Sequence, residues 1–289
     1  MPSTGVEGSA KVAAMVDQRP HRPIDDLYTG RGWPEDGDAL FQQSLGPRSP
    51  EMLMEAPGWL GLGPGQLVLD AGCRDAGYAT ELTRRYGCRA VGVDLVLAGI
   101  AKSGAYAPAA GPARPVPLVK GDLQALPLAD GAFDLVWCRD TLSCLPDCAQ
   151  AMREFARVLR PGGGVVLYAV FTTDRLEPGD RAVVVEGLEN SAASMDEPTV
   201  ESAIVAAGLA IDRRERIGSE WSEYRLEHDP SYLTQDLLEL ARLVRDRDHM
   251  EATVGPVWYR RTLAFDLWRL QIVLGRLVPV LYTLVKLGG

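Results

Sequence analysis

Short apolar runs alternate with amphipathic stretches along this chain, and the runs come first in the reading. Leu67, Val68 and Leu69 are apolar at consecutive positions, the mark of a strand covered on both faces, and the run closes on Asp70. Gly72 and Gly77 bracket a turn, after which positions 78–85 are predicted to be helical. Ala90, Val91, Gly92 and Val93 repeat the pattern and end on Asp94. Further strands are predicted at 116–119, 133–138 and 165–171, with a helix over 95–103 and an Ala- and Pro-rich surface loop over 106–115. Pro146 and Asp147 open a helix that places Ala149, Met152, Phe155, Ala156 and Leu159 on one face, with Arg153, Glu154 and Arg157 pointing outward. Pro161, Gly162 and Gly163 stop it.

The second half is less regular. Positions 172–197 are polar and read as a loop segment. Asp196 and Pro198 start a helix that Gly208 ends, and 209–217 read as a sixth strand. Asp229 and Pro230 cap a long helix, with Leu233, Leu237, Leu240, Ala241 and Val244 as its expected buried stripe. A helix over 256–274 and a last strand over 277–286 complete the chain. At the other end, 1–22 form a small, polar tail, and 23–60 form an expected helical lid punctuated by Leu27, Tyr28, Trp33, Leu40 and Phe41.

A strand, a glycine turn and a helix N-terminus make a nucleotide-sized corner. Asp94, about twenty residues on at the end of the next strand, is placed to hold both hydroxyls of a ribose. That much fits a dinucleotide dehydrogenase as well as an S-adenosylmethionine enzyme. Two later stretches separate them: Lys120-Gly121-Asp122-Leu123 continuing to Phe133-Asp134-Leu135-Val136-Trp137-Cys138-Arg139-Asp140, and Val158-Leu159-Arg160-Pro161-Gly162-Gly163-Gly164. With these, residues 60–171 resemble the class I S-adenosylmethionine-dependent methyltransferases, in the branch with the ubiquinone/menaquinone-type and small-molecule enzymes.

The resemblance implies an α/β, Rossmann-like fold: a seven-stranded, mostly parallel sheet with an antiparallel last strand, a helical N-terminal lid and C-terminal helical insertions. It divides 61–289 into a cofactor half, 61–171, and a substrate half, 172–289. It implies S-adenosylmethionine as cofactor and S-adenosylhomocysteine as product. Asp70 would position the methionyl ammonium, with Gly72, Cys73, Arg74 and Gly77 forming the turn beneath it. Asp94 and Leu95 would serve the ribose, Asp122 and Leu123 the adenine, and Cys138 and Arg139 the methionine end. The family's turn carries glycine where Arg74 and Ala76 stand here, so the Arg74 side chain must point away or meet the cofactor's carboxylate. Cys144 stands where many relatives have a histidine, and it is read as small apolar filler.

Methyl transfer needs the acceptor lone pair held roughly 3 Å from the methyl carbon and in line with it, which asks little covalent chemistry of the protein. Asp140, Glu220 and Tyr224 are the candidates to take a proton or orient an acceptor, with Glu223 beside them. Tyr28, Trp33, Trp221 and Trp258 are candidate walls of an apolar or cationic acceptor pocket. His21, His228 and His249, the only histidines, sit in no motif.

Composition narrows partners more than mechanism. A net charge of −9 and a pI near 5.0 argue against a nucleic-acid groove. Five cysteines without a CxxC pair point to reduced thiols and no structural zinc, and no carboxylate–histidine cluster suggests a catalytic metal. The first thirty residues lack a signal-peptide core, so a cytoplasmic location is expected. Positions 262–287 are apolar, but Asp266, Arg269 and Arg276 interrupt them, and a buried helix and strand are favoured over stable membrane insertion. The expectation is O- or N-methylation of a small molecule, such as a secondary metabolite, by a monomer or homodimer. The alternatives are a cofactor-binding relative that does not transfer methyl groups, and a C-methyltransferase on a lipid-like or isoprenoid acceptor.

Overall fold

The computed structural model describes Asp26, Pro34 and residues 37–96 and 116–288. The tail over 1–22, His21, Tyr28, Trp33, nearly all of the helix expected over 95–103 and the loop expected over 106–115 lie outside the described residues. The chain divides into two compact units, residues 1–45 and 46–289. In the first, helix α1 (Gly37–Gln42) carries Asp38 in its first turn, where a carboxylate favours the helix dipole.

The second unit begins with α2 (Met52–Trp59), β1 (Leu67–Ala71), α3 (Gly77–Tyr86), β2 (Arg89–Asp94), β3 (Leu118–Lys120) and β4 (Phe133–Arg139). Next come α4 (Cys148–Val158), β5 (Leu159–Thr172), α5 (Pro178–Glu186), α6 (Glu197–Ala206) and β6 (Leu209–Arg216). The chain ends with α7 (Glu220–His228), α8 (Thr234–Arg245), α9 (Arg247–Val254), α10 (Pro256–Val273) and β7 (Leu277–Lys286). The strands form one seven-stranded sheet in the order β3-β2-β1-β4-β5-β7-β6. β7 runs antiparallel to both its neighbours, and every other pairing is parallel, as the resemblance implies.

Consecutive apolar positions in these strands reflect a sheet covered on both sides. On one face Leu69, Val136, Leu167 and Tyr282 pack with Met152 and Phe155 of α4 and Ile204 of α6. On the other, Val68, Trp137, Val166 and Leu281 pack with Leu53 and Ala56 of α2 and Leu82 of α3. Caps fix the two helices of the first face: Asp147 accepts from the backbone N–H of Gln150, and Asp196 from that of Thr199. Residues 52–59, part of the segment read as a lid, therefore pack directly on the sheet.

Three helices were not legible. α5 lies within the segment read as loop, α7 follows β6 where only a connection was expected, and α9 lies between the two long helices. α8 forms, but it starts at Thr234 with Leu233 as its N-cap, whereas Asp229, read as its cap, ends α7, and its buried side is rotated. Leu243 is buried, whereas Leu237 and Val244 of the expected stripe are exposed, Val244 at 65%. Apolar residues lie almost all round this helix, so periodicity leaves two faces in competition; α10 takes the one with Asp236 and Leu243, where Arg269 pairs with Asp236 and Tyr259 Oη donates to the Leu243 carbonyl. Among the described residues no helix is long and apolar enough to cross a membrane, and 262–287 are divided between α10 and the buried strand β7.

Candidate functional site

The strand order reverses between β1 and β4, and the carboxyl ends of β1, β2 and β4 open a crevice there, where ligands of open α/β sheets bind. Asp70 lies next to the end of β1, in register with Gly92 and Trp137, and only 4% of it is exposed. Its carboxylate accepts the backbone N–H of Ala79, in the first turn of α3, at 3.2 Å. Burial pushes its pKa up to about 7; that N–H opposes the rise, while Asp94 and Asp75 add to it.

The turn that follows is built from unusual backbone. Gly72 has φ +84°, and a Cβ there would sit 2.2 Å from Thr141 Oγ1, so Thr141 after β4 demands the glycine. The N–H groups of Gly72 and Cys73 both donate to the Val93 carbonyl. Cys73 tucks its sulfur over Gly92, where a Cβ would come within 2.6 Å of it, and burial pushes the thiol up to about 12. Arg74 (φ 47°) and Ala76 (φ 60°) keep a left-handed conformation without being glycine. The Arg74 side chain is 81% exposed and turned to Asp75. Gly77 opens α3, its N–H directed at Asp75 Oδ1.

Asp94 ties this turn to β2. One carboxylate oxygen accepts from Arg74 N at 2.9 Å, the other from Val96 N at 2.8 Å, and each keeps a lone pair for a further donor. Leu95 beside it is exposed. Asp122 lies past β3, where its Oδ1 accepts from the backbone and side chain of Gln124, and Leu123 is buried next to it.

At the end of β4 the Cys138 thiol is completely buried and its pKa is raised by desolvation. The Arg139 guanidinium lies 4.7 Å from the Tyr78 ring centre and 6.0 Å from that of Tyr168, and pairs with Asp140 at 3.0 Å. Tyr78 in turn contacts Trp137, and Tyr168 stacks on Trp221 with ring centres 5.2 Å apart. Along this chain of rings three buried donors have no partner among the described residues: Arg139 Nε, Trp137 Nε1 and Trp221 Nε1. Donors without acceptors suit an acceptor-rich group such as a carboxylate. The crevice thus offers acidic positions at β1, β2 and β3, a glycine turn between them and a cationic, donor-rich end at β4. That donor set fits an amino-acid-bearing nucleoside.

Beyond β4 and β5 lies a cavity of about 240 Å³, lined by Asp140, Leu142, Cys144, Val170, Asn190 and Trp268 among others. Asp140 has φ 52° and a side chain 41% exposed at its rim. Surrounding protein raises its pKa by desolvation, against the opposing charges of Arg139 and Arg225. Cys144, expected as buried filler, is exposed in the cavity wall with its sulfur 3.7 Å from Asn190 Oδ1. Its thiol is held above the usual range by desolvation, so it is no thiolate nucleophile.

The other candidates lie elsewhere. Glu220 accepts from the Arg48 backbone at 3.1 Å and from its guanidinium at 2.7 Å, and Arg48 also holds Glu215 at 3.0 Å. Those bonds lower the Glu220 pKa, the opposite of what a base needs. Tyr224 stacks on His228 at 4.1 Å, and Glu223 takes the Ser219 hydroxyl. Trp221 stands behind Tyr168, and Trp258, 64% exposed, faces a separate groove. Asn190, Phe265 and Trp268 were missed as lining residues: the first lies in a segment without periodicity, the others on a helix read only as packing.

Residues 69–167 match the family described as "Methyltransferase domain". The chain is 42% identical over 108 residues to demethylmenaquinone methyltransferase of Mycolicibacterium paratuberculosis, covering 37% of this chain and 43% of that one. It is 31% identical over 160 residues to the methyltransferase GfsG of Streptomyces halstedii, covering 55% and 56%. It therefore spans about half the length of these relatives. The fold is similar to the crystal structure of geranyl diphosphate C-methyltransferase from Streptomyces coelicolor A3(2), in complex with Mg2+, geranyl diphosphate and S-adenosyl-L-homocysteine. That likeness has a TM-score of 0.58 and 17% identity, covering 82% of this chain and 79% of that one.

Proposed function

We propose, from the match of residues 69–167 to the methyltransferase domain family, that this chain is a class I S-adenosylmethionine-dependent methyltransferase that transfers a methyl group from S-adenosylmethionine to an oxygen or nitrogen of a small molecule, with S-adenosylhomocysteine as product. The observation that carries the reading is the adjacency of two sites: the nucleoside crevice at β1, β2 and β4, and the cavity whose rim residue, Asp140, directly follows β4.

The bound cofactor supplies a sulfonium methyl already activated for in-line displacement. In this reading Asp94 accepts from the two ribose hydroxyls through its remaining lone pairs. Asp122 accepts from the adenine amino group, and Leu123 packs on the ring. Asp70, ionised, faces the methionyl ammonium. The backbone at Gly72, Cys73 and Gly77 lets the cofactor approach, with Leu95 beside the ribose and Cys138 lining the methionine end. Arg139, whose Nε has no partner among the described residues, takes the methionyl carboxylate. Asp140 takes the acceptor's proton: its raised pKa makes it a stronger base than a solvated carboxylate. Trp268, Val170 and Leu142 exclude water from the acceptor. A secondary metabolite suits the apolar cavity, and five free cysteines suit a reducing cytoplasm. The acidic surface argues against nucleic acid. The unit is a monomer or homodimer.

Calorimetry with S-adenosylhomocysteine tests the crevice. Micromolar binding should weaken by about 2 kcal/mol in Asp94→Ala, the loss of hydrogen bonds to a charged acceptor. In a screen for transfer of labelled methyl groups, Asp140→Asn should lower kcat by about 10²-fold while leaving that binding intact. A folded protein that binds neither cofactor nor product would end the reading.

A further inference from the structure

A second concavity, of about 520 Å³, adjoins the acceptor cavity, since Leu188 and Phe265 line both. Its other walls come from α8 (Asp236 and Glu239) and α10 (Trp258, Arg261, Asp266 and Arg269 among them). The charges do not balance. Three carboxylates face two guanidinium groups, and Arg261 is already committed to Glu189 at 3.0 Å. Arg269 pairs with Asp236.

Asp266 is left over. It is 5% exposed, and its Oδ2 is buried with no hydrogen-bond partner among the described residues. An unpaired buried carboxylate is costly, and a sequence that only needed to pack this helix would hold an apolar residue there. Burial and the charges of Glu239 and Asp236 push its pKa up to about 6, against the opposing charge of Arg269. Among the described residues no group of three or more His, Cys, Asp or Glu side chains is placed to hold a metal ion. The exposed Phe265 and Trp258, the latter with the Arg261 guanidinium already 6.0 Å from its ring centre, instead offer aromatic surface beside the carboxylates, the combination that receives an organic ammonium.

We propose that this second groove binds an organic ammonium, and that the acceptor is an apolar molecule with a basic amine, its body in the acceptor cavity and its cationic end against Asp266, Glu239 and Trp258. The groove's preference for a cation stands on its own geometry; that the cation belongs to the acceptor rests on the methyltransferase reading.

The test uses 3-phenylpropylamine, an ammonium at pH 7.5, and 3-phenyl-1-propanol, its neutral counterpart, each titrated calorimetrically into the full chain. The amine should bind about tenfold more tightly than the alcohol, a cation–π and charge contribution that salt weakens. Asp266→Asn should remove that preference and, by deleting an uncompensated charge, raise the thermal midpoint of the ligand-free protein. Should Asp266→Asn not fold, Glu239→Gln carries the same expectation of a weakened preference. Equal affinities for the two probes, or an amine preference untouched in a folded Asp266→Asn, would overturn the proposal. S-adenosylhomocysteine binding on the same samples separates the two questions. Retained cofactor binding without amine preference sinks the groove alone, whereas amine preference without cofactor binding sinks the methyltransferase reading.

Discussion

Arg74 and Ala76 adopt the left-handed backbone of a glycine turn although neither is glycine. A side chain in that conformation costs on the order of 1 kcal/mol, and the Arg74 side chain, 81% exposed, offsets little of it through its surface ion pair with Asp75. Arg74→Gly should therefore stabilise the protein by about 0.5 kcal/mol in urea titration, the relief of strain less the extra entropy of an unfolded glycine. An unchanged or lower midpoint would show that the Arg74 side chain contributes to folding. Gly72 is the opposite case. Its freedom is required by a neighbour, Thr141, so its presence speaks of turn packing as much as of ligand approach. Asp94 ties its surroundings through both carboxylate oxygens, accepting from Arg74 N and Val96 N, and each oxygen keeps a lone pair beyond those bonds.

Helix α4 shows how an element read as core packing also shapes a site. Its apolar face is buried as predicted, through Met152, Phe155 and Ala156. Its expected outward residues grip the loop that follows Asp122. Glu154 accepts from the Leu126 N–H at 2.7 Å, and Arg157 donates to the carbonyls of Leu126 at 2.9 Å and Leu128 at 2.8 Å. Arg157 also reaches Asp130 at 2.5 Å. Arg157→Ala removes charge-assisted bonds that fix this loop and should cost about 2 kcal/mol of stability. Because the same loop starts at Asp122 and Leu123, cofactor affinity should fall with it, measurable by calorimetry well below the melting temperature. Loss of stability with unchanged affinity would confine Arg157 to a structural role. On α8 the element was legible and its orientation was not: several apolar residues point to different sides, and the partner helix α10 decides which are covered.

In the whole molecule the sheet buries a titratable carboxyl at its crevice. Asp70 keeps its proton up to about pH 7 when folded, against an ordinary value of 3.8. The folded chain therefore binds more protons than the unfolded chain between those values. That contribution to stability is fully present below about pH 4 and is lost as pH rises through about 7. Asp70→Asn keeps an acceptor for the Ala79 N–H and should flatten this decline between pH 5 and 8 in thermal melts. An ammonium beside Asp70 favours its ionised form, so S-adenosylhomocysteine should bind less well as pH falls below about 7 in the wild type and not in Asp70→Asn. Parallel pH profiles in the two proteins would remove Asp70 from the ammonium site.

Those features that depend on neighbours along the chain were determined by the sequence itself. Aliphatic runs fixed β1, β2 and β4 to within a residue or two, whereas β5 begins at Leu159, six residues before the predicted start and through the Pro161-Gly162-Gly163 stretch read as a helix stop. Asp147 and Asp196 marked helix starts, and residues 277–286 were read as a strand with the observed bounds. The acidic ends of β1 and β2 and the turn between them follow from the same local logic. Tertiary structure alone decided what each side chain meets from far along the chain. Glu220 was a candidate base until Arg48, 172 residues away, was seen to hold it. The acceptor cavity joins Asp140, Asn190 and Trp268 from three separate elements, and Asp266 gained its unpaired burial only when α8 and α10 packed. Backbone preference and periodicity act over a few residues, whereas burial and pKa are set by whichever surfaces the packed sheet and helices bring together.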